Sequence, residues 1–497
     1  MNQGGDFLST KFRSLIILCL LAPVLSLFII VNPGELSAQS RVFIESADRA
    51  EGVIINNQNV RKLLGNVRLE TGEMTMLADS AYQFINRNRI EAFNIQIETD
   101  DEIIWADTLF YNTLTDFSQF RGRVIIESET NTVFSEMVDV SAPLDITVFR
   151  SPVRFEDGSG ALLADSGVFY QEADSAVFRG NVQLSDTTQY LEADSLFMNR
   201  PKDLYELHSR VFADDYAENV RFAGNYLFAD SSGYRLLTGN DAWLMEVSES
   251  ETDTTHLLAK KIELQETDTT SLMDAYQQVR IWSTKFSAVA DTANYSDGDE
   301  LFILNGSPIV WQRNIQLTGP YIEATLNDGD IRFLRSYPRP IAVQEDTATG
   351  RLNQMTGDTL NAYFETGELD SLVVYDNSEI IFHQKNEEGE PDGLMEMVAA
   401  GSSTMLFENG EFDFFKAISN INGTYVPESE GDSDRTLDNF QWNPERKPKR
   451  PTVKTPRLPA IPDEPFFELP PRYIQYLEAR DVQADSESET EDTESIE

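Results

Sequence analysis

Leu77-Ala78-Asp79-Ser80-Ala81-Tyr82 decides the fold, because the chain keeps repeating it. Trp105-Ala106-Asp107-Thr108-Leu109-Phe110-Tyr111, Leu163-Ala164-Asp165-Ser166-Gly167-Val168-Phe169-Tyr170 and Glu192-Ala193-Asp194-Ser195-Leu196-Phe197 hold the same order of a small residue, Asp, Ser or Thr, and then apolar or aromatic residues. Phe228-Ala229-Asp230-Ser231, Val289-Ala290-Asp291-Thr292 and Thr356-Gly357-Asp358-Thr359 continue it. Asp79 and Asp107 lie 28 positions apart, Asp165 and Asp194 29, and Asp107 and Asp165 58, about two such steps. A fixed period of this size marks stacked repeats.

A second phrase alternates with the first. Gly65-Asn66-Val67-Arg68-Leu69-Glu70 and Gly180-Asn181-Val182-Gln183-Leu184 are its clearest copies, and Asn94-Ile95-Gln96-Ile97-Glu98, Gly122-Arg123-Val124-Ile125-Ile126-Glu127 and Asn219-Val220-Arg221-Phe222 are variants. Apolar residues alternate with polar ones in each. Period two over short runs bounded by Gly, Asn and Asp predicts half-buried strands, and no long amphipathic helix interrupts residues 41–425. The chain is therefore all-β.

Alternation also orients the Asp motif. In a regular strand Ala78, Ser80, Tyr82 and Phe84 share one face, as do Ala106, Thr108 and Phe110, then Ala164, Ser166, Val168 and Tyr170, then Ala193, Ser195 and Phe197. The Asp residues fall on the other face. Carboxylates stacked a strand apart repel one another, so they are solvated, bonded to backbone N–H groups in turns, or bridged by cations.

The formal charge of −45 argues against a nucleic-acid partner, which needs a basic face. Cys19 is the single cysteine, so Cys-based metal sites, thiol catalysis and disulfides within the chain are not expected. His208, His256 and His383 are scattered, with no metal-ligand spacing, and neither a Ser-His-Asp signature nor a phosphate-binding glycine loop is present. We expect no catalytic residues, no metal and no cofactor. Acidic β-helix enzymes also show rung periodicity, but here the Asp residues recur evenly instead of clustering once.

At the N-terminus, Lys11 and Arg13 precede an apolar run from Leu15 to Val31, and Leu36-Ser37-Ala38 follows. This is the layout of a secretory signal over residues 1–38, with an uncleaved anchor as the alternative. Residues 39–200 form a first repeat region and 201–425 a second, more divergent one, with a break expected near 200–220. Acidic, Thr-rich stretches at Ser248–Thr255 and Glu266–Ser271 read as loops. Residues 426–497 form a Pro-rich basic and then acidic tail. Its composition cannot bury enough surface to fold alone, so it is expected to be disordered; Arg472–Arg480 has the pattern of a short helix. Its basic patch either binds something anionic or neutralises the acidic body.

The two phrases together, behind a secretory signal, resemble the OstA-like (organic solvent tolerance, or LptA-like) family of lipopolysaccharide-transport proteins, best over residues 41–235 and more weakly to about 425. The resemblance implies a stacked antiparallel β-jellyroll, solenoid-like, whose interior holds acyl chains. It implies a periplasmic, possibly outer-membrane-associated protein of a Gram-negative bacterium, acting as a bridge component in outer-membrane assembly. Its partners would be lipopolysaccharide or a related glycolipid, and other Lpt-type bridge and outer-membrane assembly proteins joined through edge strands. The inward positions matching the family pattern are Val67, Leu69, Tyr82, Phe84, Ile95, Ile97, Phe110, Val124, Ile126, Val168, Val182, Leu184 and Phe197. These residues either line a lipid groove or fill a solid core. In the second case the chain is a non-lipid structural β-repeat scaffold of the cell envelope.

Overall fold

The computed structural model describes residues 42–480, apart from 72–73, 100, 218, 248–252, 268–269, 328–329, 366–367, 409–410 and 431–434. The signal reading of residues 1–38 and the acidic run at the C-terminus lie outside the described residues. The chain divides into two compact units, one running to Leu207 and resuming at Pro456, the other running from His208 to Thr455.

In the first unit, strands follow one another in antiparallel order from Phe43–Ser46 and Arg49–Ile55, through Gln58–Thr71, Met74–Phe84, Arg89–Glu98, Glu102–Asn112, Phe117–Ser128 and Asn131–Ser141, to Ser175–Asp186 and Gln189–Asn199. Most run 10 to 14 residues and turn a corner near their middle. Elsewhere the corner breaks the strand in two. Ile146–Phe149 and Val153–Asp157 both pair with Asn131–Ser141, and Gly160–Ala164 and Ser166–Tyr170 both pair with Ser175–Asp186. The result is a two-layered β-jellyroll with its apolar faces turned inward.

The two repeated phrases meet at these corners. Two residues of one strand, Gly65-Asn66, stand opposite Asp79 of the next, with the register shifting between Leu64 and Val67. The same shift falls between Trp105 and Thr108, and between Arg179 and Val182. Such pairing with one extra residue is a β-bulge, and its G1 form takes a glycine in left-handed backbone. Gly65, Gly122, Gly180 and Gly306 supply it with φ of +71°, +90°, +77° and +81°, and Asn66 and Asn181 with +44° and +46°; Asn94 is also left-handed, at +50°, where the register does not shift.

The Asp of the preceding strand seals the corner. Asn66, Asn94, Asn181 and Asn377 donate to Asp48, Asp79, Asp165 and Asp358 at 2.9, 2.7, 3.0 and 2.8 Å, while the Arg123 backbone N–H donates to Asp107 at 3.1 Å. Each of these carboxylates is therefore bonded to the next strand across the corner, which offsets the repulsion that a bare column would carry.

A Cβ on Gly122 would lie 2.6 Å from Asp107 Cβ, on a backbone that side chains rarely adopt. Gly122→Ala is therefore expected to destabilise the first unit by about 1–3 kcal/mol, read as a lower urea midpoint. Gly158→Ala, at an exposed position where an added Cβ meets nothing within 4 Å, is the control expected to leave the midpoint nearly unchanged.

The second unit begins with long paired strands, Val220–Ala229, Tyr234–Val247, Thr254–Glu266, Ser271–Trp282 and Ser287–Ser296. Thr254 and Thr255 thus open a strand instead of ending a loop. After Ser287–Ser296 the ladder divides. One branch runs through Leu301–Asn305, Tyr321–Asn327, Asp330–Ser336, Thr359–Glu365, Glu368–Tyr375 and Ser403–Glu408 to Glu411–Ala417. The other runs through Ile309–Gln312, Ile315–Thr318, Ile341–Glu345, Leu352–Thr356, Ser378–Lys385 and Pro391–Ala399 to Asn422–Pro427.

The tail differs from the disordered chain expected on composition. Residues 435–480 carry little regular structure, but they lie along the β-units, and residues 471–480 are helical. In the second unit, Gln316 donates to the Gln441 carbonyl at 2.9 Å and accepts from the Asn443 N–H at 2.9 Å. Gln354 does the same with Arg435 (3.0 Å) and Leu437 (2.9 Å). The tail makes a few short-range hydrogen bonds of its own, and the sheet provides these longer-range partners.

Candidate functional site: the apolar interior

Cross-strand pairing in the first unit assembles one inward row from ten strands: Leu69, Met76, Ile97, Ile104, Ile126, Val133, Phe155, Leu162, Leu184 and Leu191. Beside it, large and small residues face one another in the pairs Val67 with Ala78, Ile95 with Ala106, Val153 with Ala164, and Val182 with Ala193. Beyond the corner a third row faces inward, including Ala81, Ala92, Leu109, Phe120, Val138, Phe149, Phe178 and Leu196. Phe155 meets Phe149 edge-on at 5.4 Å and Phe178 at 5.3 Å.

Eight of the thirteen positions expected to face inward do so. Val67, Leu69, Ile95, Ile97, Val124, Ile126, Val182 and Leu184 are 0–6% exposed. The other five stand on the half-buried outward side. Tyr82, Phe110, Val168 and Phe197 even share a single outward row, joined through Glu91, Gln119, Asp139, Val148 and Val177. Phe84 lies two residues beyond Tyr82, also half-buried. The corner is the reason. On the Asp strands the inward residues on either side of it are three apart, as in Ala78 and Ala81, Ala106 and Leu109, or Ala193 and Leu196. The bulge places its extra residue on the Gly-Asn strand, so strict alternation fails on the Asp strand.

A carboxyl reaches the inward face at its rim. Glu102 lies at the start of its strand, one step before Ile104 on the inward face, and is 4% exposed. One of its carboxylate oxygens, Oε2, has no hydrogen-bond partner. Burial, reinforced by the negative charge of Asp101, pushes its pKa from 4.5 up to about 8, so it is neutral at pH 7. The fold favours the protonated form. Its contribution is complete below pH 4.5 and is lost as pH rises through 8. Glu102→Gln is therefore expected to flatten the fall in melting temperature between pH 5 and pH 9, with little change at pH 5.

Two of the three histidines are buried. His256 is fully buried and accepts at Nδ1 from Trp243 Nε1 at 3.1 Å, and burial lowers its pKa. His383 is also buried, with its pKa lowered for the same reason. Among the described residues no group of three or more His, Cys, Asp or Glu could hold a metal ion, and no helix is long and apolar enough to cross a membrane.

The outward face of the first unit holds residues that sequence reasoning missed. The row Trp105, Ile125, Phe134, Arg154, Leu163, Gln183 and Glu192 lies one residue out of phase with the inward row. Trp105, Ile125 and Phe134 are buried against Tyr473, with Phe467, Leu469, Tyr476 and Leu477 packed around them. The available signal was the unbroken apolar run Ile103-Ile104-Trp105-Ala106, which covers both faces where alternation would leave one polar.

A two-layered antiparallel jellyroll, stacked along one axis of strand pairing in each unit and apolar within, is the class this geometry defines. Residues 39–194 match the family described as OstA-like protein, and residues 161–330 match the family described as LptA/(LptD N-terminal domain) LPS transport protein. Together the two matches span residues 39–330 and support an OstA/LptA-like lipopolysaccharide-transport family. Among solved structures, the crystal structure of LptH, the LptA-homologous periplasmic component of the conserved lipopolysaccharide transport device from Pseudomonas aeruginosa, is similar at 13% identity over 29% of this chain and 81% of that chain, with a TM-score of 0.17. At that score it adds nothing to the family match. No curated protein matches the chain.

Proposed function

We propose that the protein is a non-enzymatic periplasmic component of lipopolysaccharide transport whose interior receives the acyl chains of the lipid. The observation that carries this is the inward row of ten apolar side chains, continuous from Leu69 to Leu191, in a chain whose family is a lipopolysaccharide-transport family. Apolar walls with few polar groups are what an acyl chain requires. Because the interior residues are almost wholly covered, a bound chain must part the two layers. The anionic headgroup stays outside, where the negative body repels it, so affinity rests on the acyl chains.

Partners join at the strand edges. At one end Phe43–Ser46 and Arg49–Ile55 each pair only with Gln58–Thr71 among the described residues, leaving Phe43 and Ile54 exposed. At the other, Glu411–Ala417 and Asn422–Pro427 close the two branches, with Phe414, Ile421 and Tyr425 exposed. Open edges of this kind accept further strands.

The test is a photo-reactive residue at Ile126, compared with one at Phe110, in a Gram-negative host. Crosslinks to lipopolysaccharide from Ile126 and none from Phe110 are expected. Equal labelling at both, or none at either, would favour the scaffold alternative.

A further inference from the structure

The outward face of the first unit holds a second binding arrangement, unrelated to the interior. Gln183, on Ser175–Asp186, and Glu192, on Gln189–Asn199, are directly paired and buried. Tyr190 links them, accepting from Gln183 Nε2 at 2.9 Å and donating to Glu192 at 3.0 Å. Arg154 lies two strands away on the same row and is also buried. Buried polar groups of this kind are costly unless something satisfies them.

Residues 457–463 satisfy them through the main chain. Glu192 accepts from the Arg457 N–H at 2.9 Å and from the Leu458 N–H at 2.9 Å. Gln183 donates to the Pro459 carbonyl at 2.7 Å, and Arg154 donates to the carbonyls of Pro462 and, at 3.4 Å, Asp463. Proline has a carbonyl but no N–H. The sheet presents donors to the carbonyls of both prolines, and its acceptor meets the N–H groups of the two non-proline residues Arg457 and Leu458.

The spacing matches too. Pro456, Pro459, Pro462 and Pro465 recur every third residue. Proline fixes its own φ and holds the residue before it extended. An extended proline-rich chain rises about 3.1 Å per residue, so Pro459 to Pro462 covers about 9.3 Å. Two strand spacings are about 9.6 Å, the separation between the strands of Gln183 and Arg154. A proline every third residue thus keeps step with every second strand.

We infer that this face is a binding site for extended peptides with proline at every third position, and that residues 456–480 are a separable ligand which the chain carries for it. Recognition is through main-chain groups and proline spacing, with the Arg457 guanidinium beside Glu192 and Asp194 at one end and Tyr473 and Phe467 anchoring the other on Trp105 and Phe134. The site does not depend on the lipid reading.

The test inserts a protease site after Thr455 in the full chain. After cutting, the 456–497 fragment is expected to co-elute with the body and then to exchange for a fluorescent synthetic peptide of residues 456–480. A peptide with Pro459→Gly and Pro462→Gly should bind at least about tenfold more weakly, because unfolded glycine has more freedom to lose. Gln183→Ala in the body should weaken the unaltered peptide and leave the body folded by circular dichroism. Failure of the folded, cut chain to take up peptide, equal binding of the glycine peptide, or unfolding of the body on cutting each overturns the inference. A separable ligand leaves a folded site that discriminates its spacing.

Discussion

Phe155→Ala is expected to lower the stability of the first unit by about 3–5 kcal/mol, the range for emptying a large aromatic site in a packed core. Phe155 is 1% exposed, and its ring bridges Phe149 and Phe178 through two edge-on contacts. Those rings come from both sides of the corner, so the loss falls on the contact between layers. Edge-on pairs add about 0.5–1.5 kcal/mol each beyond area burial. The surrounding strands are held by ladder hydrogen bonds and cannot collapse into the space, which places the cost toward the upper end. The measurement is urea unfolding of the full chain, followed by hydrogen exchange to locate the weakened strands. Phe110→Ala is the comparison. Phe110 is half-buried on the outward row, with the Arg89 guanidinium 4.8 Å from its ring centre, and its loss should cost about 1 kcal/mol. If the two substitutions cost the same, the change of face at the corner is wrong.

That comparison also marks what the residues could and could not tell in advance. The repeat of Ala-Asp-Ser against Gly-Asn-Val was sufficient for an all-β stack, because its period and alternation are local properties. Val67, Ile95, Val124 and Val182 could be assigned inward because each directly follows a Gly-Asn or Asn phrase, or its variant, after which alternation is regular. Tyr82, Phe110, Val168 and Phe197 could not, because each follows the Asp, and the bulge that resets alternation is a property of the pair of strands. The motif for it was visible all the same: Gly and Asn are the residues that adopt left-handed backbone most readily, and they recur in step with the Asp that caps them. The tail was opaque for a different reason. Composition measures what a segment does alone, and the partners of residues 435–480 are glutamines and carboxylates far away in sequence, placed among apolar neighbours where alternation attaches no meaning to them.

Trp105→Ala is expected to cost about 3–5 kcal/mol, and to do so on the outward face, leaving the interior intact. Trp105 is 1% exposed although its neighbours Ile104 and Ala106 face the interior, so its cover comes from elsewhere. Tyr473 meets it edge-on at 4.8 Å and Tyr476 lies tilted against it at 5.0 Å, both from the helical end of the tail. A helix of about ten residues is marginal in water without tertiary contacts, so residues 471–480 depend on this indole to stay ordered. Removing it should free them, which limited proteolysis would report as early cleavage after Arg472 or Arg480. Arg472 and Arg480 add ion pairs to Asp79 and Glu127. The Asp79 pair is exposed and contributes little. Glu127 is 6% exposed, so removing Arg480 would take a cation away from a buried carboxylate. A double-mutant cycle between Trp105 and Tyr473 separates the two effects. A coupling of about 0.5–1.5 kcal/mol is expected from the ring contact. Zero coupling would mean that the helix is held by its charges, and that Trp105 is buried by the sheet alone.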